Sequence, residues 1–167
     1  MIFDNSLIFS GSIGAASGSL VGQAVNGAGN VLSTNTVDNG PQMVGGAPTQ
    51  PGDLGAGESL AVLINVVSAP TVGSNVGIQL IQADDAALSV NVQVLIATDS
   101  IPIASLPAGT NITLNLDDAA PYAPKRYMGL RFVNAGAIAT ASYFAGVVKN
   151  VQSTRTSDKY KTNYGIA

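Results

Sequence analysis

The chain has 167 residues, of which 46% are hydrophobic and only 10% are charged, with a formal net charge of −3. This length fits one domain with a substantial core, while the charged share is well below the roughly 25% of an average domain. Because the sequence contains neither Cys nor His, it has no disulfides, no thiolate metal sites and no imidazole base, which argues against an enzyme or a metal cofactor.

The first nine residues, MIFDNSLIF, are rich in apolar side chains. The segment is either a first strand that closes the fold or an extension that inserts into a neighbouring subunit. It lacks the cationic start and long apolar stretch of a signal peptide, and no apolar stretch in the chain approaches the roughly 20 residues of a membrane span. We therefore expect folding in a cytosol and no membrane contact. The candidate partner contacts here are Ile2, Phe3, Leu7 and Phe9.

Apolar and polar residues then alternate with the period of two that is typical of β-strands. Two weaker strands are predicted over 19–25 and 30–37, and stronger ones over 58–67, 75–82, 90–98, 111–116, 126–133 and 140–148. In the third of the stronger strands, Val90, Val92, Val94 and Ile96 are predicted to share the buried face. Because one buried face per strand requires a second sheet to cover it, the sequence predicts an all-β fold, a jelly-roll-like sandwich of about eight antiparallel strands.

Two segments fall outside this pattern. Residues 38–58 are rich in Gly and Pro and are predicted to form a long loop, which either rests on a neighbouring subunit or is a floppy insertion. Residues 150–167, called the C-terminal arm below, are polar and have too little apolar surface to fold alone. The expected organisation is therefore one sandwich domain over 1–149, with the arm ordered only by docking.

The charges are divided along the chain. Residues 1–124 contain nine acidic and no basic side chains, whereas residues 125–167 contain all seven basic side chains and one acid, Asp158. The adjacent pairs Asp84-Asp85 and Asp117-Asp118 are the only other chemical candidates, as calcium ligands or as carboxylates sharing a proton. Both pairs directly follow predicted strands, so the favoured interpretation is that they bond to turn amides.

The basic C-terminal region interleaves cations with tyrosines. Such residues could contact phosphates and stack on bases, but an acidic chain with pI near 4.5 would repel nucleic acid. Tyr and Arg are also enriched at protein interfaces, so protein contact is favoured over nucleic acid. The candidate partner-binding residues here are Lys149, Arg155, Lys159, Tyr160, Lys161 and Tyr164.

The order of several segments resembles the capsid cement, or decoration, proteins of tailed phages, and in particular the cement protein of the short-tailed Bordetella phage. The resemblance is carried by MIFDNSLIFS, GAGESLAVLINV, VGIQLIQADDAA, LPAGTNITLNL and, above all, RYMGLRFVNAGAIATASYFAGVV. It spans nearly the whole chain and is looser over 20–57 and the last fifteen residues.

This resemblance implies a jelly-roll protein without enzymatic activity or cofactors. It would be made in the bacterial host cytoplasm and would bind the outside of the icosahedral head, where it would bridge major capsid protein subunits and stabilise the shell. It also implies a homo-oligomer, with a dimer favoured and a trimer possible. The alternative is a jelly-roll module of the particle that binds carbohydrate or a receptor, although the chain has no Trp and only 5% aromatic residues to build a sugar platform.

Overall fold

The computed structural model describes residues 5–14, 18–44, 47–51 and 60–149. These residues form fifteen β-strands and three single-turn 3₁₀ helices. The strands of the first half are β1 (Ile8–Ser10), β2 (Ser12–Ile13), β3 (Leu20–Val21), β4 (Gln23–Ala24), β5 (Gly27–Leu32), β6 (Val37–Asp38), β7 (Pro41–Val44) and β8 (Ala47–Pro51). The second half contains β9 (Leu60–Ser68), β10 (Asn75–Ala83), β11 (Gln93–Ala97), β12 (Ile101–Pro102), β13 (Asn111–Asn115), β14 (Tyr127–Ile138) and β15 (Ser142–Lys149). The 3₁₀ helices are Asn5–Leu7, Ile103–Ser105 and Leu116–Asp118.

Eight of these strands form two antiparallel sheets in a jelly-roll order. The first sheet runs β1-β15-β9-β13, with β4 also paired to β15, and the second runs β11-β10-β14-β5, with β12 and β6 added beside β10 and β14. Counted along the chain, the first sheet holds the first, eighth, third and sixth of these strands, and the second holds the others. This interleaving of early and late strands gives the double Greek key of a jelly roll, which confirms the predicted fold class.

The core lies between the two sheets and is built from alternating residues of their strands. Val76, Ile78 and Leu80 of β10 are fully buried in it. The same cluster holds the alternating residues of β14 and β15, namely Met128, Leu130, Phe132, Tyr143, Ala145 and Val147. The ring of Phe132 stacks on that of Tyr143 across the sheets, with 5.2 Å between centroids and 14° between planes. The period of two gave the correct inward face for β10, and the structure decides which of the two alternating sets of β15 faces the core.

The predicted face of β11 was wrong because the strand contains a bulge. Ile96 pairs with Leu80 and Val94 with Ile81, so Leu95 is an extra residue in the ladder. An extra residue reverses the alternation on one side of it. Val94 consequently packs on the outer side of the sheet with Ile81 and Ala83, whereas Leu95 and Ile96 contact the central core. Val90, which was expected to be buried, precedes the strand and is 49% exposed.

The predicted long loop is corrected within its described part. The strands β7 and β8 pair with each other, with Pro41 opposite Pro51 and Gln42 opposite Gln50, and form a separate two-stranded sheet. The prolines that favour extended backbone also fit a short two-stranded ribbon, where an edge position does not require their missing N–H group. Residues 45–46 and 52–58 of this predicted loop, and the whole C-terminal arm, lie outside the described residues.

Candidate interaction surface

The first cations of the sequence lie immediately before β14 and are paired with the body of the same subunit. The Lys125 ammonium donates to Asp84 Oδ1 at 2.9 Å and to the Asn91 carbonyl at 2.7 Å. Only 14% of the Lys125 side chain is exposed, against 46% for Asp84. The hydrogen bonds from Lys125 and then Asn91 lower the pKa of Asp84 below its ordinary value of 3.8. This carboxylate therefore holds the chain ahead of β14 against the turn that follows β10.

Arg126 makes a second pair of this kind with β6. Its Nε and Nη2 atoms donate to the two carboxylate oxygens of Asp38 at 2.9 Å each, which is the two-point geometry favoured by arginine. The guanidinium carbon also lies 5.0 Å from the centroid of the Tyr127 ring. The hydrogen bond from Arg126, followed by one from the Gly40 amide, lowers the pKa of Asp38.

The buried side-chain amide of Gln82 tethers the segment that leads from β13 to Lys125 and Arg126. Gln82, which is 2% exposed, donates to Gln93 Oε1 at 2.8 Å and to the Ala123 carbonyl at 3.0 Å. Its Oε1 accepts from the Lys125 amide at 3.1 Å. A buried side-chain amide is tolerated when its polar atoms are bonded, so Gln82 positions the 119–126 segment across the end of the sandwich.

In the acidic pair at the end of β10, Asp85 has the turn role that the sequence predicted, whereas Asp84 forms the ion pair described above. Asp85 Oδ1 accepts from the amides of Ser89 and Val90 at 2.8 and 2.7 Å, and these contacts lower its pKa. Its other oxygen accepts from the Ser89 hydroxyl at 2.8 Å. In the residues that the structure describes, no three acidic side chains converge on a possible metal position. Asp85 therefore bonds to the turn that follows β10, and Asp84 forms the ion pair with Lys125.

A cavity of about 270 Å³ lies between the sandwich and the 119–126 segment. Its lining combines the apolar side chains of Leu80, Leu95, Leu116 and Met128 with Asn39, Gln82, Tyr122 and Pro124. Leu95 belongs to β11 and Leu116 directly follows β13. Both of these edge strands therefore lie on the same side of the sandwich.

The predicted partner-binding residues do not form one described cluster. Phe9 of β1 is fully buried in the subunit's own core, and Leu7 packs against that core. The ladder slips between Ile8 and Ser10, and this bulge turns Phe9 and Ser10 both inward. Assigning Phe9 to a neighbouring subunit is therefore corrected, since its burial leaves it no surface for a partner. Lys149 ends β15 and is exposed, whereas Ile2, Phe3, Arg155, Lys159, Tyr160, Lys161 and Tyr164 lie outside the described residues.

The sequence interpretation missed the two ion pairs and the buried amide. Lys125 and Asp84 are 41 positions apart, and Arg126 and Asp38 are 88 apart. The only signal in the sequence for the ion pairs was that their four charged residues lie at the ends of strands: Asp38 ends β6, Asp84 follows β10, and Lys125 and Arg126 precede β14. Predicting the pairs would have required the strand order, which places β6 and β10 on either side of β14.

None of the described helices has the length and apolarity of a membrane span.

A comparison with protein families gives a match over most of the chain. No curated protein matches the chain, but a protein family model described as Bbp16 matches residues 20–148. This range includes twelve complete strands, from β3 to β14, and nearly all of β15. The family name points to a protein of a Bordetella phage. With most of its length covered by this match, the chain belongs to the Bbp16 family.

Proposed function

We propose that this chain is a structural virion protein that acts as a capsid cement protein. It binds the outer surface of an icosahedral phage head and bridges major capsid protein subunits without enzymatic activity. The observation that carries this proposal is the family match over residues 20–148, since the family name indicates a phage protein. The jelly-roll order of the two sheets supports a structural role, although the fold by itself serves many functions.

The distribution of charge supports binding to protein. Lys125 and Arg126 are engaged within the subunit by Asp84 and Asp38, and Arg131 Nε donates to Gln79 at 2.7 Å. These three cations therefore serve the fold. The other cations are Lys149 at the end of β15 and three in the C-terminal arm.

A surface with few charges loses little hydration energy when it is covered by another protein. An extended arm adds contact area over several partners, and its ordering cost is offset by many weak contacts. The arm combines cations with two tyrosines, which are residue types suited to such contacts. We therefore assign the cationic arm to an acidic patch on the capsid or on a sister subunit.

The test is binding of the purified chain to phage heads that lack it. We expect the full chain to co-sediment with heads to saturation, to appear on their outer surface in electron micrographs, and to raise the temperature at which they release DNA. Heads that bind none of the protein would contradict the cement role. A glycan array should remain silent, and a specific sugar signal without head binding would instead support the carbohydrate-binding alternative.

The role of the arm requires a truncated chain and a matched control. A chain lacking residues 150–167 should occupy fewer sites at equal concentration, because it loses the arm's contacts. The control keeps the arm length and its tyrosines but replaces its cations by Arg155→Gln, Lys159→Gln and Lys161→Gln. Lower occupancy of this control would assign the effect to charge. Full occupancy by the truncated chain would show that the arm is not used.

A further inference from the structure

The two ends of the sandwich differ in charge. At one end, called the charged end, lie most of the charged side chains that the structure describes, namely Asp38, Asp84, Asp85, Asp117, Asp118, Lys125, Arg126 and Lys149. They meet there because each flanks or ends a strand at the level where Tyr127 pairs with Ala83 and Lys149 pairs with Leu60. The other described charges are Arg131, within β14, and Asp99, between β11 and β12.

The opposite end, called the uncharged end, is formed by residues 25–29, 69–74, 103–110 and 134–141. None of these four segments contains Asp, Glu, Lys or Arg. Backbone hydrogen bonds join them to one another. The Val25 amide donates to the Ala141 carbonyl at 2.9 Å. The Ile103 amide donates to the Ser74 carbonyl at 3.1 Å, so the four turns form one continuous surface without charge.

An apolar side chain stands at the tip of this end. Val72 lies in the turn between β9 and β10 and is 69% exposed, the largest exposure among the large apolar side chains that the structure describes. Its φ of 62° is left-handed, which is costly for a β-branched residue and free for glycine. Residues in such strained backbone cluster at functional sites. A valine where glycine would fit without strain points to a role of its side chain in contacts with another molecule.

The turn that presents Val72 is held in place by the rest of the subunit. Thr71 pairs with Ala139 through two backbone hydrogen bonds of 2.8 and 2.7 Å. The hydroxyl oxygens of Thr71 and Thr140 lie 2.7 Å apart, and the Thr140 hydroxyl donates to the Ala69 carbonyl at 3.2 Å. A side chain on a pre-formed turn loses little conformational freedom on binding. Val72 is therefore suited to fill a small apolar depression on a partner.

We propose that the uncharged end is the surface that lies against the phage head, with Val72 seated in an apolar depression of the major capsid protein. This inference rests on the proposed function and adds the surface that performs it. Burying an ionised group without a partner costs far more than burying a neutral one, and charged residues are depleted at the cores of protein interfaces. Of the two ends, the uncharged one is therefore covered at lower cost, and the charged end faces solvent, where its ions stay hydrated.

The test makes the same substitutions at the two ends. Val90 is the matched control for Val72, because it is 49% exposed and lies beside Asp85 at the charged end. On heads that lack the protein, Val72→Lys should bind at least roughly tenfold more weakly than wild type, since the shell would bury an unpaired ammonium. Val90→Lys should bind as wild type does. The exposed residues Ala137, at the uncharged end, and Ala87, at the charged end, should show the same contrast when each is replaced by Lys.

A glycine variant separates docking from folding. Val72→Gly relieves the left-handed backbone, so it should keep or raise the urea midpoint while it binds heads more weakly than wild type. Wild-type head affinity in both Val72→Gly and Val72→Lys would overturn the inference. A changed sedimentation coefficient of free Val72→Lys would also overturn it, because this end would then serve contacts between copies of the chain.

A cysteine footprint measures the covered surface directly. Because the chain has no Cys, Val72→Cys and Val90→Cys each introduce a single thiol. Both thiols should react with a maleimide in the free protein, and on heads position 72 should be protected while position 90 still reacts. Equal protection of both positions, or protection of position 90 alone, would overturn the inference. Heads that bind no wild-type protein would contradict the cement role and this inference together, whereas tight binding that is insensitive to position 72 would contradict this inference alone.

Discussion

The hydroxyl of Tyr143 provides a sharp test of the core. Tyr143 lies in the middle of β15, is fully buried, and stacks on Phe132. Its Oη atom has no hydrogen-bond partner among the described residues. Burial raises its pKa from 10.0 to about 12. The phenol therefore contributes packing through its ring, while its hydroxyl has lost hydration without a replacement bond.

We predict that Tyr143→Phe stabilises the protein at pH 7. A buried polar group without a partner costs about 1–3 kcal/mol, and the substitution removes that group while it keeps the stacked ring. Allowing for the small void that remains, we expect the free energy of unfolding to rise by about 1 kcal/mol. For a domain of this size, that change corresponds to about 2–4 °C in Tm.

The same substitution should alter the alkaline dependence of stability. Since the pKa of Tyr143 is higher in the folded state, its contribution is constant below pH 10 and is lost as the pH rises toward 12. A hundredfold difference in acidity corresponds to about 2.7 kcal/mol as an upper bound. Wild type should lose up to this amount over that range beyond any loss in the variant.

Urea unfolding monitored by circular dichroism at pH 7, and at steps from pH 9 to 11.5, measures both effects. The difference between variant and wild type isolates Tyr143 from the other groups that titrate at high pH. Phe132→Leu is the matched control, because it removes the Phe132 ring from the stack but leaves the Tyr143 hydroxyl in place. We expect this variant to be less stable than wild type. A loss of more than about 1 kcal/mol in Tyr143→Phe at pH 7 would refute the reasoning, since it would show that the hydroxyl has a bonding partner.

Two further predictions concern packing and acid stability. Gly22→Ala should reduce the free energy of unfolding by about 1–3 kcal/mol, because a Cβ there would lie 3.0 Å from the Cβ atoms of both Ser142 and Val67, which no change of rotamer can move away. Gly77→Ala is the control, since its nearest contact is an ordinary 3.6 Å, and equal urea midpoints for the two variants would contradict this explanation. The lowered pKa values of Asp38 and Asp84 stabilise the folded state above their ordinary value of 3.8, and this contribution is lost as the pH falls below it. Asp84→Asn should flatten that acid loss in urea unfolding between pH 5 and 2, and an unchanged acid profile would exclude a role for this ion pair.

The sequence alone determined the six stronger strands, which are β9, β10, β11, β13, β14 and β15, and, for most of them, which side chains share the face toward the core. Val76, Ile78 and Leu80 are buried as their alternation predicts, because successive side chains of a strand point to opposite faces whatever the strand pairs with. The turn role of Asp85 was predictable for a similar reason, since its bonds reach only to Ser89 and Val90. Properties set by nearby residues are visible in the sequence.

Only the tertiary structure decided the features that join distant segments. The extra residue Leu95 exchanges the two faces of β11, and nothing in its alternation marks where a ladder will slip. The pairing of Arg126 with Asp38 depends on β6 lying beside β14. The same holds for β13, whose uncharged side chains could equally belong to an inner strand. Its position at an edge follows from the order of the sheet, because hydrogen bonding between strands depends on which segments the whole fold brings together.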